Sequence, residues 1–224
     1  MQSIQLLLIF LYFLINIYSK NWFRNSKIQE KFDQYVTVSI FYSSLDPESI
    51  EFFTKSFNGF YKGNVFDEHI VNLIPMSPGI EVGKKDKGMY EFKTVNGASE
   101  SYANMLSTCT LHYLGRIHAY SYLICFEEKL KSNKVTYQNS ESSVREVFNS
   151  CISDDSQLKI LVKDCAENIV GSEAMYVNYG KMPKKMDHSP YILVDGVYDK
   201  EEEQKIKDDL YMYLQDMSIK LSKK

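Results

Sequence analysis

Apolar and polar positions change their period several times along this chain. Ile4 to Ile17 is almost wholly apolar, begins close to Met1 and gives way at Ser19 to the polar pair Lys20-Asn21. That is the pattern of a signal peptide over residues 1–19, although Lys and Arg are missing before the apolar run and Ile17 stands where a smaller residue is usual. Residues 20–34 are polar and read as a lead-in. Tyr35-Val36-Thr37-Val38-Ser39-Ile40-Phe41 is β-branched and aromatic, which predicts a buried strand. Asp46-Pro47-Glu48-Ser49 then has the form of a helix start: a carboxylate N-cap, proline at the first helical position and acid in the first turn. The helix should run to about Asn58-Gly59. His69 to Ile74 predicts a second strand, stopped by Pro75 and the turn Ser77-Pro78-Gly79, followed by a polar loop over Lys84 to Gly88 and a third strand over Met89 to Thr94.

From Ser99 to about Ser132 the pattern turns helical, with a turn near Gly115, and further helices are expected over Ser143 to Asn149 and Gln157 to Val170. Strand character returns in Tyr191 to Val194, preceded by Pro190 and closed by the hairpin-type pair Asp195-Gly196. Ile206, Leu210, Tyr213, Leu214, Met217 and Leu221 recur at helical spacing between charged residues, a docking face and not a membrane face. Strand, helix, two strands, helical block, proline with strand, and closing helix is the order of an α/β, thioredoxin-like fold carrying a helical insertion at about 99–170. One domain over 35–224 is expected. In such folds the active motif opens the helix after the first strand and a proline, usually cis, faces it. Asp46 and Pro190 hold those two places.

Composition changes this picture little. The chain has 224 residues, 44% of them hydrophobic, and a formal net charge of -3, so general attraction to nucleic acid or anionic membrane is not expected. If the leader is removed, the mature chain enters an oxidising lumen with all four cysteines, and they should pair. Cys109, Cys125, Cys151 and Cys165 allow three connectivities, and spacing alone does not choose among them. The expectation leans to the sequence-local solution, Cys109 with Cys125 and Cys151 with Cys165. No Asn-x-Ser/Thr site is present. A membrane association follows only if the leader stays uncleaved, and a bilayer span normally needs about 20 apolar residues.

Several fragments, in order, carry a family resemblance. Tyr42-Ser43-Ser44-Leu45-Asp46-Pro47-Glu48-Ser49 is similar to the Tyr-x-Ser-Leu-Cys-Pro-x-Cys that follows the first strand in the gamma-interferon-inducible lysosomal thiol reductases, the GILT family. Leu73 to Pro78 echoes that family's Leu-Val-Pro-Tyr-Gly-Asn. Thr94 to Asn104 and then Cys109 resemble its signature Cys-Gln-His-Gly-x-x-x-Cys-x-x-Asn with a following Cys. Gly97, Asn104 and Cys109 remain, while Thr94 and Ser101 replace the signature cysteines. Cys125-Phe126-Glu127-Glu128 resembles Cys-Met-Glu, Cys151 and Cys165 look like two more family cysteines, and Pro190 to Gly196 is similar to Pro-Trp-Val-x-Val-Asn-Gly. The resemblance implies thiol reduction in a lysosome-like or secretory lumen. Its departures come in pairs, Asp46 with Ser49 and Thr94 with Ser101, as if each pair had been one disulfide or redox unit.

Thiol-disulfide exchange needs a thiolate to attack a disulfide sulfur and a second thiol to resolve the mixed disulfide. Neither sulfur stands in the motif, so no catalytic residue is intact. Asp46 keeps a negative charge at a helix N-terminus, where it caps without reacting. Reading Asp46 and Glu48 as an acid/base or metal pair is the weaker alternative, and Ser49 lacks the Gly-x-Ser-x-Gly turn of a nucleophile. Cys109 and His112 could share a metal, but a second ligand pair at suitable spacing is missing, and neither cofactor nor metal is expected. His188, close to Pro190, and the lysines at 84–87 and 181–185 read as structural or solvated groups. The expected function is a secreted or lumenal pseudo-reductase that binds a protein or unfolded polypeptide. Its rivals are a residual oxidoreductase using one of the four cysteines and a membrane-anchored structural protein of a surface or vesicle.

Overall fold

The computed structural model describes residues 35–64, 69–85, 88–152 and 156–223; the expected signal peptide and lead-in lie outside them. Val36–Met217 forms one compact unit. Within it β1 (Thr37–Tyr42) is the middle strand of a three-stranded sheet, with β2 (Ile70–Pro75) parallel on one side and β5 (Tyr191–Val194) antiparallel on the other. Being central, β1 is covered on both faces, and that is why its sequence is apolar almost throughout. Phe41 joins Ile74, Met76, Phe92, Met175 and Tyr191 in one cluster. On the opposite face Tyr42 meets Phe53 at 4.5 Å between ring centroids, and the aromatic row continues through Phe57, Phe60 and Tyr120.

The helix after β1 runs as α1 (Pro47–Phe52), a π-helical turn over Phe53–Phe57 and α2 (Asn58–Gly63). β3 (Glu81–Lys84) and β4 (Tyr90–Lys93) make a separate antiparallel ribbon. The third expected strand is therefore present but belongs to this ribbon. Its partner has no clear signal in the sequence, because Glu81, Gly83 and Lys84 are exposed and Val82 alone is apolar.

The helical insertion comprises α3 (Ala98–Leu114), α4 (Arg116–Ser132), α5 (Glu141–Cys151), α6 (Ser156–Glu167) and α7 (Ile169–Lys181). It extends past the expected end near Val170. Helix α7 buries only Gly171, Ser172 and Met175 and exposes Tyr176 and Val177, so its apolar positions never draw a clean stripe. Asp195 and Gly196 have φ of 50° and 79°, the two positive values of a type I′ turn, and Val197 returns to pair with Val194. Helix α8 (Lys200–Leu221) buries Ile206, Leu210, Tyr213 and Leu214, the predicted docking face. Among the described residues no helix is long and apolar enough to cross a membrane.

The disulfides correct the sequence-local expectation. Cys109 pairs with Cys165 and Cys125 with Cys151. Helices α3 and α4 are joined by Gly115 alone, but their cysteines face away from each other, Cys109 towards α6 and α7 and Cys125 towards α5. Gly171 makes room for the first bridge. A Cβ there would lie 2.4 Å from the Cys165 carbonyl oxygen and 2.9 Å from Cys109 Sγ.

Candidate functional site

The β1 strand ends in a tight turn, Asp46 N–H donating to Ser43 O at 3.1 Å, and Asp46 caps α1. Its Oδ1 accepts the N–H groups of Glu48 and Ser49, both at 3.0 Å. Such a cap contributes about 1 kcal/mol. Burial raises the Asp46 pKa; the two backbone N–H groups oppose this, and the charges of Glu48 and Glu100 add to it.

Ser49 is fully buried. Its hydroxyl lies 2.7 Å from Ser189 Oγ, which accepts the Ser43 N–H at 2.8 Å. The Ser189–Pro190 peptide is cis. The structure thus brings the four motif positions and Pro190 to one place, joined through Ser189, a residue that nothing in the sequence singles out.

Retained signature residues hold this corner together. Buried Asn104 accepts Ser44 N–H at 2.9 Å and donates to Ser77 Oγ at 2.8 Å, and Ser77 donates to Ser43 Oγ at 3.1 Å. One side chain of α3 thereby ties the motif turn to the loop after β2. Gly97 has φ of 90°, a conformation L side chains rarely adopt, at the start of α3. Thr94 and Ser101 do meet, Oγ to Oγ at 3.5 Å, with Ser101 donating to Phe92 O at 2.8 Å. They line a cavity beside β4 that is distinct from the one at Asp46.

Two buried acids were not expected as site residues from the sequence. Glu100, 1% exposed, accepts the Ser43 hydroxyl and the Asn96 amide on Oε1, while Oε2 has no hydrogen-bond partner. Glu127 is completely buried and neither carboxyl oxygen makes a hydrogen bond of good geometry. Burial pushes its pKa well above the ordinary value; the Ser44 hydroxyl opposes the shift and the Asp46 charge reinforces it. The same burial, with the Glu127 charge, raises the Tyr42 phenol. A signal for Glu127 was available: Leu123, Glu127 and Leu130 fall on one helical stripe, so a charged residue sits in an apolar row.

Around the proline, His188 stands between two carboxylates, Nδ1 2.6 Å from Asp187 and Nε2 2.9 Å from Glu203. The other Glu203 oxygen accepts Ile192 N–H at 2.9 Å, which fixes α8 to β5. Hydrogen bonding to His188 holds the Asp187 carboxyl below its usual range.

This corner sets a helix N-terminus after the central strand beside a cis-proline, with no thiol at the motif. Residues 37–155 match the family described as gamma interferon inducible lysosomal thiol reductase, GILT. The chain belongs to the GILT family. The match runs from β1 through α5, so it includes the motif and the Gly97 to Cys109 signature and leaves Pro190 outside. No curated protein matches this GILT-family sequence. Solved structures similar to it include reduced DsbA from Mycobacterium tuberculosis, 10% identical over 83% of this chain and 89% of that one, with a TM-score of 0.47. Reduced DsbA1 from Neisseria meningitidis is 11% identical over 85% and 88% of the two chains, TM-score 0.47. DsbA from Xylella fastidiosa is 14% identical over 82% and 87%, TM-score 0.47.

Proposed function

We propose that this chain is a non-catalytic member of the GILT family, a pseudo-reductase whose vacated groove binds a protein or unfolded polypeptide in a secretory or lysosome-like lumen. One observation carries the reading: all four cysteines of the chain are spent in two disulfides, so no thiol is available. At the two motif positions stand a carboxylate that caps α1 and a hydroxyl bonded to Ser189. Neither group can attack a disulfide sulfur. The two disulfides favour an oxidising compartment, and the family's lysosomal name points the same way.

Turnover of a disulfide-bonded protein substrate at acidic and neutral pH, with a small thiol as reductant, tests this. The wild-type chain should not exceed the rate of the small thiol alone. Robust turnover that thiol blocking abolishes would overturn the reading. The Asp46→Cys/Ser49→Cys double variant should gain activity, because the helix N-terminus that stabilises a thiolate is still in place.

A further inference from the structure

A cavity of about 410 Å³ opens beside the motif, bounded by the turn before α1, the loop after β2, the loop before α3 and the segment leading to Pro190. Its charged wall is one-signed. Asp46, Glu100 and Asp187 line it, and among the described residues it is lined by no lysine or arginine.

An acidic cluster alone would say little. Here Glu100, in the cavity wall and 1% exposed, leaves Oε2 without a hydrogen-bond partner. A buried carboxylate oxygen with no donor is costly. Asp46, which lines the same cavity, uses one carboxyl oxygen, Oδ1, for both helix N–H groups. Burial is the chief cause that raises the Asp46 pKa, and the charges of Glu48 and Glu100 add to it. Two donors lining the cavity, the Ser43 hydroxyl and the half-buried Asn96 amide, both go to Oε1 of Glu100. Apolar atoms of Pro78, Val95 and Met186 form the remaining wall, and Val95 is 78% exposed. Carboxylates beyond an apolar wall suit an aliphatic stem that ends in a cation.

We propose that this cavity receives the basic side chain, lysine or arginine, of a polypeptide bound along the vacated motif, with its cationic group donating to Glu100 and Asp46. The inference rests on the polypeptide-binding reading above and names the residue class that the groove selects. An inorganic cation is the poorer occupant, because among the described residues no group of three or more His, Cys, Asp or Glu is placed to hold a metal ion.

The test uses the purified full chain and two fluorescein-labelled unstructured peptides that differ at one central position, lysine in one and acetyl-lysine in the other. Fluorescence anisotropy should show the lysine peptide binding about tenfold more tightly or better, the scale of one charge-assisted hydrogen bond. Glu100→Gln, which keeps an acceptor for Ser43 and Asn96, should bring the two affinities together. Asp46→Asn, which keeps the cap, should reduce the difference as well. The exposed Glu201→Gln should leave it unchanged. Equal binding of both peptides by the wild-type chain overturns this inference and leaves the polypeptide-binding reading standing; binding of neither overturns both. Displacement of the lysine peptide by millimolar calcium, but not by free lysine amide, would assign the cavity to an inorganic cation and overturn the inference.

Discussion

Glu127 shows how one residue ties stability to acidity. Its carboxyl is buried behind the motif, and its folded pKa lies well above the ordinary 4.5, chiefly through burial. Below about pH 4.5 the folded and unfolded chains both hold this proton. Above it the unfolded chain releases the proton while the folded chain keeps it, so stability falls as pH rises towards the folded pKa. Asp46, raised from 3.8, acts in the same direction. The urea midpoint should therefore drop between pH 4.5 and neutrality, a direction that suits an acidic lumen. Glu127→Gln should flatten most of that slope and stabilise the chain at neutral pH. An unchanged slope in the variant would show that Glu127 is ionised in the fold.

Among the elements, α8 departs most from its sequence pattern. Its apolar positions predict one continuous helix, yet Asp209 is non-helical, with φ of -159° and ψ of 96°. The Ser56 hydroxyl from the π-helical turn fills the break. It donates to Ile206 O at 2.6 Å and accepts Leu210 N–H at 2.8 Å, replacing the bond these two groups would make in an unbroken helix. Asp209 then accepts Met212 N–H at 3.0 Å, which caps the C-terminal half of α8. Ser56→Ala leaves two buried backbone groups without partners and should cost about 1–3 kcal/mol. Chemical denaturation measures this directly, and a loss below a few tenths of a kcal/mol would mean that α8 closes its own gap.

At the scale of the whole molecule, the two disulfides stitch the helical insertion in different places. Cys109–Cys165 closes a separation of 56 residues and joins α3 to α6; Cys125–Cys151 closes 26 and joins α4 to α5. Chain-entropy scaling assigns them about 4 and about 3.5 kcal/mol. The first also has Gly171 packed against it, so α7 depends on it. Replacing Cys109 and Cys165 by alanine should lower the melting temperature more than replacing Cys125 and Cys151. The reverse order, read by calorimetry, would place the weaker constraint in the α3–α6 bridge.

The features legible without coordinates were local. Asp46-Pro47-Glu48 announced a capped helix, Asp195-Gly196 a tight turn, and the α8 spacing a buried face, because caps, turns and amphipathic stripes depend on residues only a few positions apart. Periodicity and caps supplied the order of elements and the place of the motif, and the family fragments supplied what the motif had lost. The cysteine pairing was not legible, since it depends on which faces α3 and α4 turn to their neighbours. Nor was β3, which has a single apolar residue and owes its existence to β4. The candidate site was half visible: the motif and Pro190 stood out by position, whereas Ser189, Glu100 and the roles of Asn104 and Glu127 appear only when segments distant in sequence meet. Sequence by itself determined the capped helix at Asp46, the turn at Asp195-Gly196, the buried face of α8 and the absence of sulfur from the motif. Tertiary structure decided the pairing of the cysteines, the break in α8 and the acidic cavity at Glu100, because each is a contact between groups that the chain brings together only by folding.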